Sequence, residues 1–232
     1  MNSEKLSKRL GAVAAFIPNG TKIADIGSDH AYLPCYCVKH GIAREAVAGE
    51  VADGPYRSAR RQVEQLGLAG KISVRKGDGL DVLSPGEAEC ITIAGMGGAL
   101  IASILERGKE KLTGTKRLIL QPNVGSLFVR KWCVENGWVI IGERILEEDG
   151  KIYEILAADA EARPQNLTEA ELMMGPILIK ENNAAFRKKW QSEKRKWQHI
   201  LRKMSEAEPS PELEEKKSHY RHLIALAEEV LK

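Results

Sequence analysis

No stretch of this chain approaches the roughly 18 consecutive apolar residues needed to cross a membrane. Met1–Leu10 is polar and charged, without the apolar core of a signal peptide. Cysteine is sparse. Cys35, Cys37, Cys90 and Cys133 form no CxxC pair, and Cys35 and Cys37 stand two apart on a predicted helix, facing different ways. That argues against a zinc clip, so no metal is expected, and four thiols without a framework fit a reducing cytoplasm. No internal repeat or low-complexity tract is visible. With 43% apolar and 29% charged residues, the composition excludes a disordered or fibrous chain. At 232 residues the chain suits one ordinary domain plus an appendage. Its net charge of +3 is mild, and the distribution of that charge says more.

What is present is alternation. A helix is predicted from Ser3, with Leu6, Leu10, Val13, Ala14 and Ile17 on one face, stopped by Pro18-Asn19-Gly20. Strands are predicted at Lys22–Ile26, Ala46–Val51, Ile72–Arg75, Cys90–Ala94 and Arg117–Gln121. Helices lie among them, including Tyr56–Leu66, Ala99–Leu112 and Leu127–Asn136. Strands separated by single helices imply right-handed crossovers and a parallel sheet. The series then breaks. Trp138–Leu146 and Ile152–Ala158 are both strand-like, and the short Glu147–Gly150 segment between them cannot hold a crossover helix. They should form an antiparallel hairpin. An α/β sheet, mostly parallel with an antiparallel last strand, is the outline of the Rossmann-like methyltransferases.

Beyond Asp159 the composition changes. Arg163–Asn166 is a predicted linker, and Thr168 with Glu171 makes a capping-box pattern before Gly175-Pro176. A long helix is expected over Ile177–Met204, a turn over Ser205–Pro211, and a second helix to Leu231. Phe186, Trp190, Trp197, Leu201 and Met204 fall at helical spacing, as do Leu213, Tyr220, Leu223, Ala227 and Val230. The pair reads as an antiparallel two-helix coiled-coil hairpin. The chain is therefore expected to divide into domains at 1–160 and 161–232.

The sharpest signal is Asp25–Pro34, DIGSDHAYLP, after the first strand. Gly27 lets the chain turn and a ligand touch backbone, Ser28 is a polar neighbour, and the next helix offers free N–H groups. The second and third glycines of a GxGxxG fingerprint are missing, which argues against a nicotinamide dinucleotide and its pyrophosphate. S-adenosylmethionine carries no phosphate and needs less. Glu50, at the end of the second strand beside Val51, can accept both ribose hydroxyls. Asp78 and Gly79 follow the third strand, where an acid can accept from an adenine amine. Ala94, Gly95 and Met96 open the AGMGG segment after the fourth. Singly, each also reads as a loop cap, a solvated strand end or a turn. Together they occupy the carboxyl rim where open α/β sheets bind ligands.

At these residues the chain resembles the bacterial tRNA (adenine-22-N1)-methyltransferase family. The resemblance rests on Asp25–Pro34, Gly49-Glu50-Val51, Gly77–Leu80, Ile93–Gly98 and Gln121-Pro122-Asn123, and it extends through the last two helices. It implies a class I methyltransferase domain, S-adenosylmethionine as cofactor, N1 of adenine 22 as the target, and a C-terminal coiled-coil hairpin that helps bind tRNA. Neither a glycine repeat nor a DPPY-like tetrapeptide follows strands one and four, so roles from better-known base methyltransferases transfer poorly.

The N1 nitrogen already has a lone pair, so no strong general base is obligatory. Alignment alone can contribute roughly 7–11 kcal/mol, and a paired base must first be extruded. Asp29, His30 and Asn123 are the catalytic candidates, with Gln121 and Tyr32 holding the base. Asp29 can accept from the exocyclic amine, Gln121 and Asn123 can pair with a base edge, and His30 and Tyr32 can stack. His30 and Asn123 also read as mere helix caps. On the RNA side, eight basic residues face the single acid Glu193 between Phe186 and Met204, dense enough for phosphate contacts. Lys188, Lys189, Lys194 and Arg195 are the candidates there, joined by Arg57, Arg60 and Arg61 on the second-strand helix and by Arg9. Trp190 and Trp197 should pack inside the hairpin. A scaffold protein with a vestigial pocket is the competing reading, and a monomer is expected.

Overall fold

The computed structural model describes residues 5–160, 165–206, 208 and 210–232. The predicted helix start at Ser3 and the predicted linker residues Arg163 and Pro164 lie outside them. Among the described residues the first helix, α1, is Lys8–Ala14, capped by Ser7, whose hydroxyl accepts from the Leu10 N–H at 3.2 Å. Leu6 precedes it and still packs on the core.

From there β1 (Thr21–Ile26), α2 (Tyr32–Lys39), β2 (Ala43–Glu50), α3 (Asp53–Gln65) and β3 (Ile72–Lys76) alternate, followed by β4 (Cys90–Gly97), α4 (Gly98–Arg107), β5 (Arg117–Val124) and α5 (Ser126–Glu135). The helix expected to run to Leu112 stops at Arg107. Gly108 interrupts it, and a 3₁₀ turn covers Lys109–Leu112. The strands β6 (Trp138–Glu148) and β7 (Lys151–Ala160) pair antiparallel around Asp149-Gly150. Both of those residues have positive φ, +51° and +73°, the handedness that a two-residue hairpin turn needs.

The sheet order is β3-β2-β1-β4-β5-β7-β6, with β1 to β5 parallel and β7 antiparallel to both β5 and β6. Successive side chains alternate faces. Ile23, Cys90 and Ile119 enter the core under α1, α2 and α3, whereas Ala24, Ile91, Leu118 and Leu120 enter the one under α4 and α5. The chain crosses first to β2 and later to β4, so the carboxyl ends of β1 and β4 flank an open crevice.

After the sheet come α6 (Glu169–Met174), opened by the Thr168 and Glu171 capping box, then α7 (Pro176–Glu181), α8 (Ala184–Ser205) and α9 (Pro211–Val230). The single helix expected from Ile177 to Met204 is two. Asn182 sits at φ +43°, a left-handed conformation that ends α7, and the Asn183 side chain accepts from the Phe186 N–H at 3.0 Å to start α8. The first half of α8 lies beside the end of α9, with Lys194 and Glu228 3.5 Å apart. Phe186, Trp190 and Ala227 join Met174, Leu178 and Ile145 in a third apolar cluster, so these helices rest on β6 as well as on one another.

A buried ionic hub ties them down. Arg130 of α5 is fully buried and donates to Glu143 of β6 and Glu154 of β7, each at 2.8 Å, and to the carbonyl of Met173 at 3.2 Å. Glu143 accepts in turn from the Ile177 N–H at 2.9 Å, and Lys189 of α8 donates to Glu154. Gly175, at φ +99°, passes so close that a Cβ there would stand 2.7 Å from Arg130 and Glu143.

Candidate active site

Each parallel strand delivers one part of the site. Asp25, the last residue but one of β1, is buried, 4% exposed, and accepts from the Ser28 and Thr92 hydroxyls at 2.6 Å each. Burial pushes its carboxyl above the usual range against those two bonds and the Arg9 charge. Gly27 follows at φ +72°, and a Cβ there would meet the Met96 methyl at 2.1 Å. Glycine is the residue this turn admits.

The loop then holds two non-glycine residues in the left-handed region, Asp29 at φ +57° and Ala31 at φ +55°. Such backbone persists only where its surroundings hold it. Here the Asp29 N–H donates to the Glu50 carboxylate, the end of β2. Glu50 is 6% exposed, which removes the reading of a solvated strand end. Burial raises its pKa, opposed by the Asp29 N–H. The Asp29 carboxylate itself faces outward, 68% exposed, 3.6 Å from His30, and His30 stacks on Tyr32 with ring centroids 5.2 Å apart. His30 caps nothing; the N-cap of α2 is Ala31, without a side-chain bond.

Two cavities meet at Gly27 and Met96. One, about 270 Å³, is lined by Arg9, Asp25, Ser28, Asp29, Tyr32 and the Ala94-Gly95 backbone segment. The other, about 240 Å³, lies over Val51, Asp78, Gly79, Leu100 and Ile104. Val51 and Leu100 are 63% and 50% exposed, unusual for aliphatic side chains and suited to a flat apolar ligand. Asp78 is half exposed and bound to Arg107 at 2.8 Å.

Gln121 and Asn123 form the wall on the β5 side. Gln121 is fully buried; its Oε1 accepts from Arg9 at 2.5 Å and from the Gly95 N–H at 3.0 Å, and its Nε2 donates to Asn123 at 3.2 Å. Its amide is engaged within the protein. Asn123 is exposed and donates to the Gly95 carbonyl at 2.7 Å. It is not a helix cap, because Gly125 holds that position for α5.

The expected RNA residues are spread out. Arg57, Arg60 and Arg61 stand exposed on α3, with Arg60 paired to Glu64. Lys188 pairs with Glu147 at 2.6 Å, Lys194 with Glu228, and Lys189 is drawn into the buried hub. Among the described residues Arg195, Arg202 and Lys203 have no acidic partner. Trp190 is buried and Trp197 half-buried.

Arg9 lines the 270 Å³ cavity. Expected among the RNA-facing charges, it is carried by α1 into the crevice, 5.6 Å over the Tyr153 ring. Glu148 fixes that helix by accepting from the Lys8 and Arg9 N–H groups at 2.6 and 3.1 Å. No group of three His, Cys, Asp or Glu among the described residues is arranged to hold a metal. No described helix is long and apolar enough to cross a membrane. The four thiols are free and buried, and burial pushes Cys35 up to about 11 and Cys90 and Cys133 up to about 12.

A parallel sheet closed by an antiparallel pair, with single-glycine and acidic segments along its carboxyl rim, defines a Rossmann-like methyltransferase. Residues 23–229 match the family described as tRNA (adenine(22)-N(1))-methyltransferase, and the chain belongs to that family. A Bacillus subtilis protein of that name is 52% identical over all of this chain and 99% of its own length. The crystal structure of the B. subtilis M1A22 tRNA methyltransferase superposes with a TM-score of 0.95 at 51% identity, covering 99% of this chain and 100% of that one. A Streptococcus pneumoniae putative tRNA (m1A22) methyltransferase, solved in complex with S-adenosyl-L-methionine, gives 0.89 at 42% identity over 98% and 100% of the two chains.

Proposed function

We propose that this chain transfers a methyl group from S-adenosylmethionine to N1 of adenine 22 in tRNA. The observation that carries the reading is the double cavity joined at Gly27 and Met96, with Asp29 and Asn123 at its edge. The residues fit the cofactor. Exposed Val51 and Leu100 offer apolar surface for an adenine ring, with Asp78 beside it for the amine. Glu50 has a second carboxylate oxygen for the ribose hydroxyls. Asp25 suits an ammonium and Arg9 a carboxylate, so the ionic ends of an amino acid meet opposite charges.

When bound, S-adenosylmethionine supplies an electrophilic methyl carbon. The protein's part is to bring the N1 lone pair of the extruded adenine in line with it and to keep water out. Tyr32 and His30 form the stacked platform for the base, and Asn123 presents its amide to the base edge. The exposed Asp29 carboxylate stabilises the positive charge that passes to the ring as the new bond forms. No side chain has to remove a proton from N1.

Residues 1–160 carry this chemistry, and 161–232 form a domain whose α8–α9 coiled-coil hairpin grips RNA phosphates through Arg195, Arg202, Lys203 and their neighbours. Packing of the two helices within one chain supports a monomer, and four free buried thiols support a reducing cytoplasm. The test is labelled methyl transfer to unmodified tRNA. Incorporation should be lost when adenine 22 is replaced by guanine, and incorporation that survives the replacement would overturn the assignment.

A further inference from the structure

A third cavity, about 520 Å³, lies between the β5–α5 junction and α8. It begins at Asn123, whose amide is bonded to Gly95 of the 270 Å³ cavity, and it ends on Trp197 of α8. The amino end of α5, capped by Gly125 with no side-chain bond, opens onto it.

Three features make this cleft a built site. Lys188, Lys189 and Lys196 line it beside the acid Glu193, and Lys189 is held by Glu154 of the buried hub, which leaves Lys188 and Lys196 for an anion. Lys188 and Lys196 are exposed and held only by surface pairs with Glu147 and Glu193, which a phosphate can displace because such pairs contribute little. The second feature is aromatic. Trp190 and Trp197 both line the cleft, 6.3 Å apart between centroids. Third, the Trp190 indole Nε1 is buried and has no hydrogen-bond partner among the described residues. A buried donor without an acceptor is uncommon and points to something that supplies one.

We infer that this cleft holds a nucleotide next to the target adenosine, its base against Trp197 and its phosphate on Lys188 and Lys196. The inference rests on the tRNA reading above and adds a subsite to it. Extruding one base leaves its neighbour unstacked on one side, and an aromatic surface at the next step along the strand recovers that stacking. An aromatic cleft with two exposed lysines, starting at the residue that faces the target base, has the chemistry for this occupant. An apolar peptide would give Lys188 and Lys196 no anion to exchange for their surface carboxylates.

The test pairs protein and RNA changes in the full-length protein. Wild type and Trp197→Ala are each assayed with intact tRNA and with tRNA made abasic at the 5′ or the 3′ neighbour of adenine 22. On wild type, one of the two abasic sites should lower kcat/KM roughly tenfold, the size expected of one base–aromatic stack. Trp197→Ala should be slower by a similar factor on intact tRNA and insensitive to that same abasic site. Ser192→Trp, which fills the cleft from the surface of α8, should reproduce this insensitivity. For both variants the affinity for S-adenosylhomocysteine should be unchanged, which shows that they are folded. Multiplicative losses at both neighbours, in both variants, would overturn the subsite. Failure of the wild type to methylate intact tRNA would instead overturn the functional reading, and this subsite with it.

Discussion

The backbone N–H of Asp29 rests on the carboxylate of Glu50, joining the loop after β1 to the end of β2 across 21 residues of sequence. Two functions meet at that contact. Glu50 holds Asp29 in its left-handed conformation through one carboxylate oxygen, and the proposed function gives the other oxygen to the ribose. The loop that presents the Asp29 carboxylate is thereby set by the residue expected to grip the cofactor.

Glu50→Ala should weaken S-adenosylhomocysteine binding at least tenfold, since a hydrogen bond to a charged acceptor contributes about 1.5–3 kcal/mol. Glu50→Gln keeps an acceptor for Asp29 and should lose less. Titration calorimetry reads both, and equal, wild-type affinities would remove Glu50 from the ribose.

Asp29→Asn tests the other partner. Asparagine tolerates the same positive φ, so the loop should keep its shape while the charge is lost. Turnover at saturating tRNA should fall roughly 10–100-fold, with cofactor affinity within about threefold, a difference under ~1 kcal/mol. Turnover close to wild type would move the charge-stabilising role away from this carboxylate.

The rim was legible in the sequence because parallel strands deliver their carboxyl ends to one edge. Glycine and acid after each strand therefore had to converge, and Asp25, Gly27, Asp78 and Met96 do. The hairpin was legible from its short connection. Arg9 was not, because nothing local says that α1 folds over the crevice; Glu148, 139 residues away, decides it. Lys189 looked like its basic neighbours, and its acidic partner Glu154 is 35 residues earlier on a strand. The break at Asn182-Asn183 lay in an apolar helical pattern that continues on both sides, so periodicity alone ran through it.

Arg130→Met should cost about 3–5 kcal/mol of stability, because it leaves Glu143 and Glu154 buried without their cation. Gly175→Ala should also destabilise, through its φ of +99° and the 2.7 Å approach to the same groups. Denaturant unfolding measures both. Wild-type midpoints would show that the hub contributes nothing.

Glu154 gives the fold a pH dependence. Burial would raise its carboxyl, but Arg130 and Lys189 outweigh burial and hold it at about 2. A folded pKa below the ordinary value stabilises above about pH 4.5, and that stability is lost as pH falls toward 2. Glu143, pushed up by burial, acts in the opposite sense. Glu154→Gln should therefore flatten the acid limb of a stability–pH profile, whereas Glu143→Gln should leave it steep. An unchanged acid limb in Glu154→Gln would contradict the ion pairing.

The most direct measurement is the identity of the methylated nucleoside. Unmodified tRNA is incubated with the protein and S-adenosylmethionine, digested, and mapped by mass spectrometry against standards for each methyladenosine. N1-methyladenosine at position 22, one per tRNA, is the expected product, because the ring nitrogen already carries a lone pair and needs no proton removed before it attacks the methyl carbon. N6-methyladenosine at that position, or methylation at another nucleotide, would contradict it.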